Sequence, residues 1–164
     1  MKKIIKEMKQ IGEAIGLVCS VLIAIMMFMM FAIVMLNIIT RTISGESLAW
    51  SSELAPYLMV WASFLGSVVA SKEKMHVAID ALINGLHGIS KKIVYGIMYL
   101  FIIIALLILI YAGFVQTIAQ LNQYSITMHF SVGYVYASMP ISGVLMLYYT
   151  VLHIFEFYFT KEVK

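Results

Sequence analysis

The side chains that could carry out acid–base chemistry are few, and they lie between long apolar segments. Glu53 precedes one such segment, and His76 and Asp80 follow it four residues apart, a spacing that allows a charge-assisted hydrogen bond on a helix. General acid–base catalysis needs its groups within hydrogen-bonding reach of one reacting centre. Because the apolar segment 54–71 separates Glu53 from the other two residues, the sequence predicts no catalytic site and no enzyme activity.

Histidine and cysteine are the other residue types that could hold a cofactor. A metal site of His76, Asp80 and His87 would place its third ligand beyond the expected end of the same helix, and the chain has a single cysteine. A b-type haem is held by histidines on facing helices, whereas His129 lies in a connection and His153 near the end of the last apolar segment. We expect no metal and no cofactor; a haem-binding or structural membrane anchor of a respiratory enzyme complex remains the alternative function.

The composition predicts a membrane protein. Of 164 residues, 63% are hydrophobic and only 12% are charged, and a soluble domain of this size could not bury so much apolar surface. The apolar residues form long runs, not the two-residue alternation of a barrel strand. The sequence therefore predicts an all-α integral membrane protein with a single membrane domain over residues 1–164.

Runs without charged residues predict four transmembrane helices. No Asp, Glu, Lys or Arg occurs between Glu13 and Arg41 or within 54–71, and about 20 apolar residues cross a hydrocarbon core of about 30 Å. A long uncharged stretch in the second half of the chain is divided by the mostly polar segment 116–131. The predicted spans are residues 15–39, 54–71, 93–115 and 132–155.

Basic residues predict the orientation of these helices. Ten of the eleven Lys and Arg residues lie in the N-terminal segment, the connection 72–92 and the C-terminal tail, and only Arg41 lies in the other two connections. The positive-inside rule therefore predicts that both termini are cytoplasmic and that residues 40–53 face outward, to the periplasm in a Gram-negative cell. Because the basic residues flank apolar runs and form no face of their own, we expect contact with membrane lipids and none with nucleic acid.

The connection between the second and third spans is amphipathic. Within KEKMHVAIDALINGLHGISKK, residues 72–92, apolar side chains recur at helical spacing on one side, and His76 and Asp80 lie on the other. Such a pattern is typical of a helix that lies in the plane of the membrane surface. We predict an interfacial helix on the cytoplasmic side.

Four residues of the outward connection are candidates for a structural or docking role: Arg41, Glu46, Trp50 and Glu53. Arg41 ends the first span and Glu53 begins the second, and each charge is favourable at that end of its helix dipole. The two could form an ion pair that fixes the connection, or each could be solvated. Trp50 is typical of the aromatic belt at the level of the lipid headgroups.

The second span carries a stripe of small residues. Ala62, Gly66 and Ala70 recur every fourth residue, which allows close helix packing in lipid, either within this chain or against another subunit. Trp61 lies about 12 Å below the start of this span, too deep for the aromatic belt, and favours subunit packing. In the fourth span, Pro140 predicts a bend.

No Asp, Glu, Lys, Arg or His lies near the centre of any predicted span, although proton relays and substrate counter-ions depend on such groups. The sequence also lacks the inverted repeats and broken helices that line the midplane site of a secondary transporter. We therefore expect this chain to hold another membrane subunit or to present a surface to a soluble partner, and not to form a substrate pathway alone.

Short motifs distributed along the chain point to one family. They are NIITR at 37–41, WSSELA at 50–55, VW at 60–61 with FLG at 64–66, KMHVAID at 74–80 and MPISG at 139–143. In this order and spacing, they resemble the signatures of the small membrane subunit of tripartite ATP-independent periplasmic (TRAP) transporters. The resemblance covers nearly the whole chain and includes the four spans.

The resemblance implies a function and partners. Such transporters import organic acids, among them sialic acids and C4-dicarboxylates, with a sodium gradient and a soluble periplasmic binding protein. A large multi-span subunit carries the transport sites. The small subunit is non-catalytic, packs against the large one as a scaffold and helps to dock the binding protein. For this chain the resemblance implies a location in the bacterial inner membrane.

Overall fold

The structure is a computed structural model that describes the backbone of residues 2–73 and 89–160 and the side chains of residues 5–73 and 93–156. The described residues are almost entirely helical, as the long uncharged apolar runs predict. The helices are α1 (Lys2–Ser44), α2 (Ser51–Lys72), α3 (Ile89–Gln120), α4 (Gly133–Tyr136) and α5 (Ser138–Thr160).

The prediction of four membrane-length helices is confirmed. α1, α2, α3 and the pair α4 and α5 each provide a segment that is long and apolar enough to cross a membrane. We call the two ends of the helices the Glu53 end and the Lys72 end, after charged residues in the first and last turns of α2. The four segments are Ile5–Ser44, Ser51–Lys72, Ile93–Gln120 and Gly133–Glu156.

The predicted interfacial helix, with His76 and Asp80, falls on residues 74–88, which lie outside the described residues. The same is true of His87 and of the metal site considered for it. The cytoplasmic location of both termini stays a prediction.

α1 is one continuous helix of 43 residues, roughly 65 Å long and about twice the thickness of the hydrocarbon core. It therefore extends well beyond the predicted span 15–39 at both ends. It ends at Gly45, whose positive φ of 73° suits a residue without a side chain and whose N–H donates to Arg41 O at 3.1 Å. The Leu48 N–H donates to Asn37 Oδ1 at 2.9 Å, which holds the turn into α2.

The predicted bend at Pro140 takes the form of a local break one turn earlier. A proline ring crowds the carbonyl four residues before it and cannot donate to it, and that carbonyl belongs to Tyr136, the last residue of α4. Ala137 separates α4 from α5 but keeps helical dihedral angles, φ −59° and ψ −21°. Its N–H still donates to Gly133 O at 3.0 Å, so the irregularity is confined to one residue.

The helices are arranged in the order α1, α2, α5, α3. α2 and α5 are central and pack on each other; α1 packs mainly on α2 and less on α5, and α3 packs on α4 and α5. In the described part of the chain, no Cα atom of α3 lies within 8 Å of a Cα atom of α1 or α2. The bundle is therefore open, and its two outermost helices have broad surfaces that no other described helix covers.

All four long helices contribute to one apolar core. It lies where α2 and α5 cross, with single residues added by the two outer helices. Its buried members are Cys19 of α1, Leu65 and Val68 of α2, Leu106 of α3, and Met146 and Tyr149 of α5.

Two glycines allow α3 and α5 to approach closely. A Cβ atom added at Gly113 would lie 2.8 Å from both Met139 Cβ and Pro140 Cδ, and one added at Gly143 would lie 2.7 Å from Ile110 Cγ1. Real Cβ atoms do not make such short contacts, so these positions require glycine. Small residues at a helix interface are the usual means of close packing in lipid, and in this chain they act between α3 and α5.

Large apolar side chains cover the outward faces of α1 and α3. Such surfaces are suited to contact with lipid chains. Examples with more than half of the side chain exposed are Leu17, Val21, Phe28 and Phe31 on α1, and Ile93, Phe101, Ile108 and Phe114 on α3.

Candidate functional site

The carboxylate of Glu53 anchors the connection between α3 and α4 to the first turn of α2. Glu53 Oε2 accepts hydrogen bonds from the Ser125 hydroxyl and from the Thr127 N–H, the latter at 3.4 Å. The Ser125 hydroxyl oxygen in turn accepts the Met128 N–H at 3.1 Å. A negative charge is also favourable at the N-terminus of α2. Glu53 therefore joins two segments that are 72 residues apart in the chain.

The connection itself, residues 121–132, is a small hairpin, and we call it the outer hairpin. Tyr124 and Ser131 form an isolated antiparallel bridge, and His129 has a positive φ of 54° that turns the chain between them. The hydrogen bonds that close the hairpin are Ser125 N–H to Phe130 O at 2.9 Å, Val132 N–H to Gln123 O at 2.9 Å, His129 N–H to Ser125 O at 3.2 Å and Ser131 Oγ to Leu121 O at 2.7 Å.

The outer hairpin buries two of its serine side chains and exposes large apolar ones. Ser125 and Ser131 are buried, with 6% and 8% of their surface exposed, whereas Ile126 is 86% exposed and Tyr124 is 64% exposed. The sequence from Tyr124 to Val132 alternates strictly between apolar and polar residues. That alternation was the available signal for this hairpin, and the interpretation of 116–131 as a merely polar divider missed it.

The predicted residues of the first connection are near the Glu53 end but do not form one cluster. Arg41 and Glu46 are exposed and Trp50 is half-buried. Glu53 makes its hydrogen bonds with the outer hairpin, and the ion pairs among the described side chains do not include one between Arg41 and Glu53. Arg41 is exposed, and its predicted structural or docking role stays a prediction, as do those of Glu46 and Trp50.

Trp61 is half-buried and contacts this chain. Its indole Nε1–H donates to Tyr134 O at 3.2 Å, which ties the middle of α2 to α4. The ring packs against the apolar core. Buried indole groups usually find such an acceptor. The predicted role of Trp61 in subunit packing stays a prediction.

The small residues of α2 face two directions. Ala62 is buried in the bundle, with 8% of its surface exposed, whereas a Cβ added at Gly66 would meet no atom within 4 Å. Ser63 and Ser67 beside Gly66 are exposed, and their hydroxyls donate to the carbonyls of Met59 and Ser63 within the helix, at 2.8 and 3.1 Å. The Gly66 side of α2 is thus flat, internally hydrogen-bonded and uncovered by the residues that the structure describes.

Two apolar cavities border α2, with volumes of about 400 and 370 Å³. Both are lined in part by Met26 and Trp61, and neither is lined by a charged residue. The first extends to Ile141 and Leu145 of α5, and the second to Phe130 of the outer hairpin. Their linings offer packing surface and contain no Asp, Glu, Lys, Arg or His.

Ion pairs join the helices at the Lys72 end. Lys72 Nζ lies 2.6 Å from Glu13 Oε2, which connects α2 to α1. Lys9 Nζ lies 3.0 Å from Glu156 Oε1, which connects α1 to α5. Lys9 and Glu13 are 61% and 62% exposed, so solvent screens both pairs and their contribution to stability is small.

Two tyrosines of α5 reinforce the same junction. The Tyr148 hydroxyl donates to Met8 O at 2.7 Å, and the Tyr149 hydroxyl donates to Gly12 O at 2.6 Å. These backbone carbonyls precede the predicted first span. The bonds explain why the N-terminal turns of α1 lie along α5 and continue the helix.

The described histidines do not form a haem or metal site. His129 lies in the outer hairpin at the Glu53 end, whereas His153 lies near the end of α5, with its Nε2 at 3.0 Å from Ser71 O. Histidines at opposite ends of the helices cannot ligate one haem. Among the described residues, no group of three His, Cys, Asp or Glu side chains is placed to bind a metal ion.

Comparison with known families decides between a transporter subunit and a respiratory anchor. Residues 30–159 match the model of the DctQ component of tripartite ATP-independent periplasmic transporters. The chain belongs to this family. The resemblance seen in the sequence motifs is therefore confirmed, and the matched region includes α2, the outer hairpin and nearly all of α5.

Two relatives of this DctQ-family chain come from Haemophilus influenzae. A putative TRAP transporter small permease protein is 26% identical over 157 residues, which is 94% of this chain and 95% of that protein. The sialic acid TRAP transporter permease protein SiaT is 28% identical over 122 residues, which is 72% of this chain but only 19% of SiaT. The first relative has the size of this chain, and in the second the similar segment is part of a much longer permease.

Proposed function

We propose that this DctQ-family chain is the non-catalytic small permease subunit of a sodium-coupled importer of organic acids, such as sialic acid or a C4-dicarboxylate. It lies in the bacterial inner membrane with both termini in the cytoplasm. It serves as a scaffold for a large multi-span transport subunit and helps to dock a soluble periplasmic binding protein that delivers the substrate. The Glu53 end then faces the periplasm.

Membership of the DctQ family is the observation that carries this proposal. The match to SiaT supports the large partner, because the remainder of that permease, about four-fifths of its length, has no counterpart in this chain. SiaT is named for sialic acid, which supports an organic acid as the substrate of this system.

The distribution of charge supports a scaffold and not a transport pathway. The described ion pairs lie at the Lys72 end, and the Glu53 carboxylate lies at the opposite end in contact with the outer hairpin. Between these ends the cavities are apolar. Coupling of a sodium ion and a carboxylate substrate needs polar or charged ligands near the midplane, so the large subunit supplies them.

The Gly66 side of α2 is the surface that we assign to the large subunit. Lipid-facing helices are covered by large apolar side chains, as on α1 and α3, whereas Gly66, Ser63 and Ser67 leave a flat face on which another helix can approach closely. Their hydroxyls are already bonded within α2, so burial against a partner leaves no polar group unpaired. Ala70 lies on the same helix and is half-buried.

Reconstitution of the complete transporter tests the proposal. Co-expression with the large permease of the same transport system, followed by purification in mild detergent, is expected to yield a stable complex. Proteoliposomes with this complex are expected to take up the organic acid only with both a sodium gradient and the binding protein. A chain that is stable alone and retains no large partner, or a purified chain with a Soret absorption band, would overturn the proposal.

A Gly66→Leu substitution is expected to disrupt assembly while leaving the chain itself folded. The new side chain meets open space within this chain but would project into a partner helix packed on α2. We expect the amount of co-purified large subunit to fall about tenfold, since overpacking at an interface costs about 1–3 kcal/mol.

Ala105→Leu is the matched control for this prediction, because Ala105 is also exposed but lies on the lipid-facing helix α3. This variant is expected to co-purify with the large subunit as the wild type does. Equal recovery of the large subunit with the two variants would show that the Gly66 side of α2 is not the interface.

A further inference from the structure

The outer hairpin exposes large apolar side chains although two of its serines are buried. Its serine hydroxyls point inward to the Glu53 carboxylate and to Leu121 O, and Ile126 and Tyr124 point outward. Ile126 has the largest exposed fraction of any large hydrophobic side chain in the described chain, at 86%. Single exposed apolar residues are common, but an isoleucine at the tip of a hydrogen-bonded hairpin calls for a partner.

We propose that the exposed side of the outer hairpin, centred on Ile126, is the contact surface for the soluble binding protein, and that Glu53 is a positioning residue that holds the hairpin without touching that protein. The proposal rests on the proposed function, because it assumes that the Glu53 end faces the compartment of the binding protein. It assigns different roles to two residues at the same end of the molecule: Ile126 makes the contact, and Glu53 fixes its place.

The neighbours of Ile126 favour a protein from the aqueous side over lipid. Asn122, Gln123 and Thr127 are exposed beside it, and the charged Glu53 carboxylate is bonded to the adjacent backbone. The exposed faces of α1 from Val21 to Ile39 and of α3 from Ile93 to Val115 consist instead of apolar and aromatic side chains. Tyr124, Met128 and Phe130 of the hairpin are exposed as well, so its surface mixes apolar and polar side chains. Such a mixture is typical of a protein contact, in which apolar side chains provide affinity and polar ones at the rim exclude water.

The position of the hairpin favours a soluble partner over the large subunit. The outer hairpin lies beyond the end of α3 and before the start of α4, above the helix ends and not on the lateral face of a span. The transporters of this family are described as tripartite and periplasmic, which is consistent with a soluble component in the periplasm. In the proposed topology, the Glu53 end faces that compartment.

Hydrogen bonds make the hairpin a rigid platform. The bonds that close it, together with the two that Glu53 Oε2 accepts, fix its backbone before binding. A preformed loop loses little conformational freedom when a partner docks, which raises affinity without additional contacts. Both bonds go from the hairpin to Glu53 Oε2. We therefore assign to this carboxylate the role of a hydrogen-bond acceptor that holds the hairpin in place.

Uptake measured against binding-protein concentration tests the contact. In proteoliposomes with the complete transporter, Ile126→Ser is expected to raise the concentration of binding protein for half-maximal uptake about tenfold, with the maximal rate unchanged. The matched control is Ile43→Ser, since Ile43 is 80% exposed at the same end but lies on α1; its curve is expected to equal that of the wild type. Equal curves for Ile126→Ser and the wild type, or equal shifts for the two variants, would overturn the assignment.

Two substitutions of Glu53 separate positioning from direct contact. Glu53→Gln keeps an amide oxygen that can accept the Ser125 and Thr127 hydrogen bonds, whereas Glu53→Ala removes the acceptor. We expect the glutamine variant to stay within about twofold of the wild-type half-maximal concentration and the alanine variant to resemble Ile126→Ser. If both variants are shifted equally, the charge itself is needed and the positioning role is wrong.

Cross-linking provides a measurement that does not depend on the transport rate. Cys19, the single cysteine of the chain, is buried, so a photoreactive maleimide attached to the Ile126→Cys variant labels one site. We expect a light-dependent adduct with the binding protein. An adduct with the large subunit, or none with the binding protein, would overturn the inference.

The failure of the proposed function and the failure of this inference have different signs. If the wild type forms no large-subunit complex or needs no binding protein, the proposed function itself fails. If only the Ile126 results differ from expectation, only this inference fails.

Discussion

A Gly113→Leu substitution is expected to separate α3 from α5 and to destabilise the chain more than any single surface change. A Cβ atom alone would lie 2.8 Å from atoms of Met139 and Pro140 and 3.0 Å from the Pro140 backbone nitrogen, and a proline backbone in a helix cannot shift freely. We expect a loss of about 1–3 kcal/mol or more from overpacking. Thermal unfolding in detergent, followed by circular dichroism, measures it as a lower midpoint temperature.

Gly66→Leu is the control for this result, because it makes the same change at a helical glycine that has open space around it. In the isolated chain its unfolding midpoint is expected to remain at or slightly above the wild-type value, since leucine is a better helix former than glycine. If Gly113→Leu and Gly66→Leu had the same midpoint, the close contact between α3 and α5 would be contradicted.

Tyr149→Ala is expected to be the second strongly destabilising change. The side chain is 1% exposed and fills the core between α2 and α5, so its removal leaves a cavity and costs about 3–5 kcal/mol. Tyr149→Phe keeps the ring and loses only the hydrogen bond to Gly12 O, at a cost of about 0.5–1.5 kcal/mol. Both variants are measured by thermal unfolding, and hydrogen exchange reports the opening of the N-terminal turns of α1.

The matched control for the cavity is Tyr111→Ala, since Tyr111 is 73% exposed on the outward face of α3. We expect little change in the midpoint temperature of this variant. A loss as large as that of Tyr149→Ala would mean that Tyr149 does not occupy the core. Faster amide hydrogen exchange of residues 5–16 in both Tyr149 variants, and not in the control, would show that the loss of stability arises at the junction of α1 and α5.

Local sequence was sufficient for the number of helices long and apolar enough to cross a membrane. The stretch between Glu13 and Arg41 lacks charge because the hydrocarbon core excludes charged groups whatever the neighbouring helices are. The same reasoning placed the boundary of α2 near Glu53 and Lys72. It underestimated the length of α1, because the turns before residue 15 are stabilised by Tyr148 and Tyr149, more than 130 residues away.

The interpretation of individual side chains depended on contacts that local spacing does not encode. An Arg41–Glu53 pair was a reasonable hypothesis because both residues flank one short connection, yet Glu53 bonds to Ser125, which belongs to another connection. Likewise, the small residues of α2 suggested close packing at Gly66, whereas Gly113 and Gly143 meet atoms of the neighbouring helix, between α3 and α5, and Gly66 meets none within 4 Å among the described residues.

Composition, charge and short-range order were enough to predict a membrane protein with four helices long enough to cross the bilayer, and the motifs were enough to predict its family. These properties act on each segment independently. The tertiary contacts set the helix order α1, α2, α5, α3, leave the space beside Gly66 open among the described residues, and join Glu53 to a hairpin that exposes Ile126. Such features depend on which helix faces meet, and in an apolar chain many faces are equally hydrophobic, so periodicity alone cannot choose among them.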